Sequence, residues 1–176
     1  MDPLRFPLGS FIPIEHPSHE DRARIRAQIS GLASMLRSMI QRLNHEQLDT
    51  PYRQEGWTIR QIIHHLADND MNAYLRLKRA LTEEEPMASS YREDLWAEQQ
   101  DYKQLPIENS LTLLELLHQR LSILIQHLEP HQYMRTLQTQ ALGVITIDTA
   151  LQRFVWHNRH HMAQIASLLQ RKGWNE

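Results

Sequence analysis

Residues 57–86 read WTIRQIIHHLADNDMNAYLRLKRALTEEEP. Thr58 and Gln61 form the T-x-x-Q pattern of a capping box, and Trp57 and Ile62 hold the hydrophobic-staple positions on either side of it. Beyond that start, Ile59, Ile62, Ile63, Leu66, Ala73 and Leu77 recur in steps that return to one side of an α-helix. The helix is expected to run to about Leu81, where Glu83, Glu84, Glu85 and Pro86 end it.

Three more helices follow from the same reasoning. Ile25, Ile29, Leu32, Leu36, Met39, Ile40 and Leu43 step by three and four, which predicts a helix from Ser18 to about residue 46, with Glu20 and Asp21 favourable in its first turn. Leu111, Leu114, Leu117, Leu121, Leu124 and Leu128 predict a third, capped by Asn109 or Ser110 and stopped by Pro130. The last starts near Asp148 or Thr149 and ends at Gly173, after basic Arg171 and Lys172. Between the second and third lies a long link, 86–109, with one short helix expected around Arg92–Gln100. Residues 131–147 read as irregular, Val144–Ile147 being briefly extended. The expected architecture is an all-α four-helix bundle: an extended arm over residues 1–17, then a single helical domain over 18–176, with its longest connections after the second and third helices.

Composition narrows the function. Five glycines in 176 residues speak against a β-rich fold and a glycine-rich phosphate cradle. With no cysteine there is no disulfide, thiolate metal site or cysteine nucleophile, so a metal would need His, Asp or Glu. This fits a reducing cytoplasm. The proline-bearing opening MDPLRFPLGSFIPIEHP is no signal peptide, and no stretch is long enough to span a bilayer. A net charge of −2 gives no basic field for nucleic acid. Eleven histidines are the odd count, and His157, His160 and His161 crowd together.

At about 100° per residue, His65 falls beside the apolar face of the second helix, with Asn69, Asn72 and Arg76 along the same edge. His64 and Asp68 point outward as a surface pair, while Asp70 falls within the apolar face, costly for a carboxylate unless it is paired. On the last helix, Leu151, Phe154, Val155, Met162, Ile165, Ala166 and Leu169 form the apolar face, with Asn158 among them; His157 and His161 share its edge, and His160 points away with Arg153. Imidazoles at i and i+4 converge on one ion, and a third from a facing helix completes a tripod whose fourth position is open, as in catalytic zinc sites. Asp70 and Asn158 read either as buried structural groups or as support for the ligands. Trp57 reads as a staple and Trp156 as packing or interface, and Tyr52 and Arg53 as candidates for a pocket mouth.

Residues 50–86 (TPYRQEGWTIRQIIHHLADNDMNAYLRLKRALTEEEP) and 154–174 (FVWHNRHHMAQIASLLQRKGW), together with FPLGSFIP and LHQRLSILIQHL, resemble the YfiT-like branch of the DinB superfamily. The combination G-W-T-x-R-Q-x-x-H-H-L-A-D with W-H-x-x-H-H carries the resemblance over nearly the whole chain. It implies a four-helix bundle, usually a homodimer, holding one zinc or nickel per subunit. Its ligands would be the second His of HHLAD and the first and last of WHNRHH, that is His65, His157 and His161, the set the helical wheel also selects. A relative continues HLAD with Ser-His where this chain has Asn69-Asp70, which opens to Asp70 a role at the metal or the substrate.

Members of this branch are labelled metal-dependent hydrolases. Some relatives resemble thiol S-transferases that use a low-molecular-weight thiol such as bacillithiol. Three functions are therefore weighed. A hydrolase would use metal-activated water, with Asp70, Asp68 or His64 as base. A thiol transferase would hold a thiolate at the same ion, with Arg53, Arg60 and Arg76 available for the thiol's carboxylates. A metal-binding, stress-related module would turn nothing over. The chain has no H-E-x-x-H and no G-x-S-x-G, so metalloprotease and serine-hydrolase schemes have no support. The first expectation is a cytoplasmic homodimer that hydrolyses a small molecule with zinc, or alternatively nickel, and engages neither nucleic acid nor membrane.

Overall fold

The computed structural model describes residues 2–174; Met1, Asn175 and Glu176, the outer ends of the expected arm and helical segment, lie outside the described residues. In chain order the helices are α1 (His19–Ile40), α2 (His45–Leu48), α3 (Ile59–Thr82), α4 (Glu93–Trp96), α5 (Gln100–Gln104), α6 (Ile107–Gln126) and α7 (Ile147–Lys172), with strands β1 (Thr136–Thr139) and β2 (Gly143–Thr146) before the last. The long helices α1, α3, α6 and α7 form a four-helix bundle. Both α1 and α3 pack against α6 and against α7, so these two, consecutive among the long helices, occupy opposite corners.

Local chemistry explains the boundaries. Ser18 and Asp21 close a capping box on α1. On α3, the Thr58 hydroxyl accepts from the Gln61 N–H at 3.1 Å, and Gln61 Oε1 accepts from the Thr58 N–H at 3.0 Å, which satisfies two N–H groups that the helix cannot pair itself. Gly173, at φ +66°, takes the left-handed conformation that ends α7.

The structure corrects three boundaries. The first helix stops at Ile40 rather than near residue 46, because the Asn44 side chain accepts from the Gln47 N–H and restarts the chain as α2. The third begins at Ile107, behind Pro106, so Asn109 and Ser110 lie inside its first turn. Its buried stripe is Leu111, Leu114, His118, Leu121 and Ile125; Leu117, Leu124 and Leu128 are only partly buried. Residues 131–147 are not irregular throughout: β1 and β2 form an antiparallel hairpin, with Thr136 opposite Thr146 and Thr139 opposite Gly143.

The N-terminal segment lies along α7. The Gln152 side chain exchanges hydrogen bonds with the Ile14 backbone, at 2.7 and 3.1 Å, and the Arg5 carbonyl accepts from Gln164 Nε2 at 2.8 Å. Arg22 on α1 pairs with the buried Asp148 of α7 at 2.6 Å. No helix of the described residues is long and apolar enough to cross a membrane.

Candidate metal centre

The fully buried Ile59, Ile62, Ile63 and Leu66 press α3 into the bundle and fix its rotation, leaving His65 at the seam with α7. On α7, Phe154, Val155, Met162 and Ile165 do the same and turn His157 and His161 into that seam. One ring nitrogen from each of the three histidines lies within 4.8 Å of the others. Nε2 of His65 and Nε2 of His157 are 3.4 Å apart. Nδ1 of His161 lies 2.8 Å from Gln164 Oε1 and donates to it, which leaves its Nε2 free. In a tetrahedral ion with metal–nitrogen bonds of about 2.0–2.1 Å, neighbouring donor nitrogens stand about 3.3–3.4 Å apart, the spacing that His65 and His157 already have, while His161 lies within 4.8 Å of both.

Burial keeps these imidazoles neutral. It holds His65 and His157 well below the ordinary histidine value, with neighbouring His161 adding to the effect on both. Burial lowers His161 to about 4, against the opposing effect of its hydrogen bond to Gln164. A metal therefore meets deprotonated ligands at neutral pH. The Trp57 ring, centred 4.6 Å from that of His65 and stacked 6.1 Å from that of His161, shields one side. Nδ1 of His65 is buried without a partner among the described residues.

The residues around the ligands form a chain of hydrogen bonds. Asn69 Nδ2 lies 3.1 Å from His157 Nδ1 and 3.2 Å from Asp70 Oδ1. With Nε2 of His157 as the ligand atom its Nδ1 would carry the proton, and Asn69 is the side chain that stands beside that atom. Asp70 does not face the imidazole cluster. Its Oδ2 accepts from His118 Nε2 at 2.7 Å and its Oδ1 from Asn158 Nδ2 at 2.9 Å, which supplies the partners its burial demands.

Several residues sit elsewhere than their helical positions suggest. His64 is not at the surface: it is 4% exposed, and its Nδ1 lies 2.7 Å from Ser110 Oγ, because α6 covers that side of α3. Asp68 does not pair with it outside; its Oδ2 accepts from the Tyr102 hydroxyl of α5 at 2.6 Å. His160 does not point away into solvent, because the N-terminal segment covers it and the Arg5 carbonyl lies 3.0 Å from its Nε2. Asn72 donates to the Asp68 carbonyl. Tyr52 is buried, its hydroxyl 3.1 Å from Arg53 Nε, and Gly56 packs so closely that a Cβ there would lie 2.7 Å from Arg53 Cγ and 2.8 Å from Tyr52 Cε1. Neither Tyr52 nor Arg53 borders the cavity beside the histidines. Arg60 pairs with Asp49 instead.

That cavity, of about 270 Å³, reaches the centre at His157 and Asn69 and is lined also by Arg76 and Arg153. Tyr91 and Glu93 line it too; both come from the link before α6, where no periodicity marked them, and neither was singled out from the sequence. Glu93 is the carboxylate among the lining residues; it is exposed on its outer side, and partial desolvation at the cavity raises its pKa, with Asp94 adding and Arg153 opposing.

A helical bundle with three convergent imidazoles beside a cavity defines a class of candidate metalloprotein. Residues 28–165 match the DinB superfamily model, and the chain belongs to that family. A protein of Oceanobacillus iheyensis named "Putative metal-dependent hydrolase" is 49% identical over 147 residues, 84% of this chain and 85% of that protein. "Putative metal-dependent hydrolase YfiT" of Bacillus subtilis is 39% identical over 173 residues, 98% of this chain and 97% of that one. The solved structure of YfiT, described as a probable metal-dependent hydrolase with an unusual four-helix bundle topology, superposes with a TM-score of 0.95 at 39% identity, covering 98% of this chain and 99% of that one.

Proposed function

We propose that this protein hydrolyses a small molecule with one divalent cation, zinc first and nickel second, held by His65, His157 and His161. The observation that carries the reading is the meeting of three imidazoles from two helices, with ligand atoms within 4.8 Å of one another. A bound ion supplies Lewis acidity, acidifying water and polarising a carbonyl. The protein's own share is to fix the imidazoles through Gln164 and Asn69, to exclude bulk water on the Trp57 side, and to move protons. Glu93, its pKa raised by partial desolvation and its side chain lining the cavity that reaches His157, is the group proposed for proton transfer. Resemblance to the family and the lack of cysteine support a homodimer working in the cytoplasm, without nucleic acid or membrane as partner.

A second reading, transfer of a low-molecular-weight thiol to an electrophile, has one observation in its favour. The expected bases Asp70, Asp68 and His64 are each engaged with His118, Tyr102 and Ser110. An ion held by the three histidines would acidify a bound thiol, whose proton could pass to solvent, so no precisely placed protein base would be needed. Untagged, zinc-loaded protein incubated with ester and amide panels, with and without added thiol, separates the two. Chelator-sensitive cleavage without thiol supports the hydrolase, and conjugation that requires thiol supports the transferase. No chelator-sensitive turnover of either kind contradicts both.

A further inference from the structure

The cavity beside His157 holds more positive charge than the fold compensates. Arg153 lies one helical turn before His157 on α7, which places its backbone about 6 Å from the ligand's along the helix axis. It makes no hydrogen bond or ion pair among the described residues and only borders the rings of Phe11 and Trp156, 5.9 and 6.0 Å from their centres. Arg76, facing it from α3, donates to the Ser89 carbonyl, but its Nε is buried and without a partner. The Tyr91 hydroxyl is likewise buried and unpartnered. Glu93 lines the same space and attracts Arg153, yet forms no ion pair within 4.0 Å, so one carboxylate stands against two guanidinium groups. The rest of the wall, with Leu121, Leu142, Leu151 and Phe154, is apolar.

Unpaired buried donors and charges cost stability, and a fold that keeps several of them in the wall of one cavity is arranged for a ligand that satisfies them after small side-chain turns. We infer that the cavity binds a small molecule with a carboxylate group on an apolar body, the carboxylate held by Arg76, Arg153 and the Tyr91 hydroxyl and the opposite end directed to His157. Guanidinium forks match a carboxylate in two parallel hydrogen bonds, which a neutral amide cannot reproduce. Resting on the functional reading above, this assigns its substrate class: acids whose scissile bond lies a short distance from the anion.

The test is calorimetric titration with 4-phenylbutyrate and, separately, its uncharged analogue 4-phenylbutanamide. The proteins are wild type, R76Q, R153Q and H161A, with metal content and circular dichroism measured on each. The acid is expected to bind wild type at least tenfold more tightly than the amide. R76Q and R153Q, with unchanged metal content, should each lose about tenfold for the acid and little for the amide. H161A, lacking metal, should hold the acid within about threefold of wild type. Equal binding of acid and amide, undiminished acid binding in both arginine variants, or its loss in H161A (an acid held by the ion) each overturns the inference. Should an arginine variant not fold, the acid–amide comparison in H161A decides alone. Binding is read without turnover, so inactive protein that still discriminates acid from amide contradicts the hydrolase reading and not the clamp.

Discussion

Gln164 lies one turn after His160 and takes the Nδ1 proton of His161 into a 2.8 Å hydrogen bond, while its own amide donates to the Arg5 carbonyl at 2.8 Å. A single side chain thus links a candidate ligand to the N-terminal segment. Such partners set the ring's orientation and its basicity.

Gln164→Ala should therefore weaken zinc binding by roughly 10–100-fold while leaving the bundle folded. Gln164→Glu, which keeps an acceptor for Nδ1, should restore most of it. Competition with a chelator gives the affinities. Because the Trp57 ring lies against those of His65 and His161, its emission should follow the titration. Equal affinity in all three proteins would remove Gln164 from the metal's environment.

Asp70 and His118 test a structural role against a functional one. Both are buried, and truncating one partner of such a pair leaves the other unsatisfied, a loss of roughly 1–3 kcal/mol. Asp70→Ala should lower the urea midpoint by a corresponding amount, yet the folded protein should still carry its metal. A normal midpoint with metal lost would instead place Asp70 in the service of the ion.

Glu93 carries a pH signature. Its folded pKa is raised by partial desolvation, so the folded state holds the proton more tightly than the unfolded chain. Its ionisation thus destabilises the fold as pH climbs through the ordinary glutamate range, and the penalty is complete once pH exceeds the raised value. In chelator, Glu93→Gln should be close to wild type in stability at pH 4 and should gain on it by pH 7.5, measured by urea unfolding. With metal present, the same variant should lose about 10²–10⁴-fold in turnover if Glu93 transfers the proton. A stability difference that does not change with pH contradicts the raised pKa of Glu93.

Legibility from sequence followed how local each determinant is. The Thr58–Gln61 box, the Gly173 stop and the side of each helix that carries His65, His157 and His161 depend on neighbours within a few residues, and the structure has these features. What covers a helix depends on distant segments. A wheel puts His64, Asp68 and His160 opposite the apolar face, but it does not show that α6, α5 and the N-terminal segment come to lie there. Of the hairpin only the second strand was legible, as the extended stretch Val144–Ile147; β1 and the pairing escaped because the strands are four residues each and partly polar, without a decisive alternation. Tyr91 and Glu93 lie in an aperiodic link, and only tertiary folding brings them to Arg76 and Arg153.

The most direct test of the metal centre is elemental analysis of untagged protein, wild type beside His65→Ala, His157→Ala and His161→Ala. The account predicts about one zinc or nickel ion per chain in wild type and almost none in each variant, with circular dichroism still helical. Wild type that carries no metal and takes up neither zinc nor nickel when offered, or variants that retain a full complement, would contradict it.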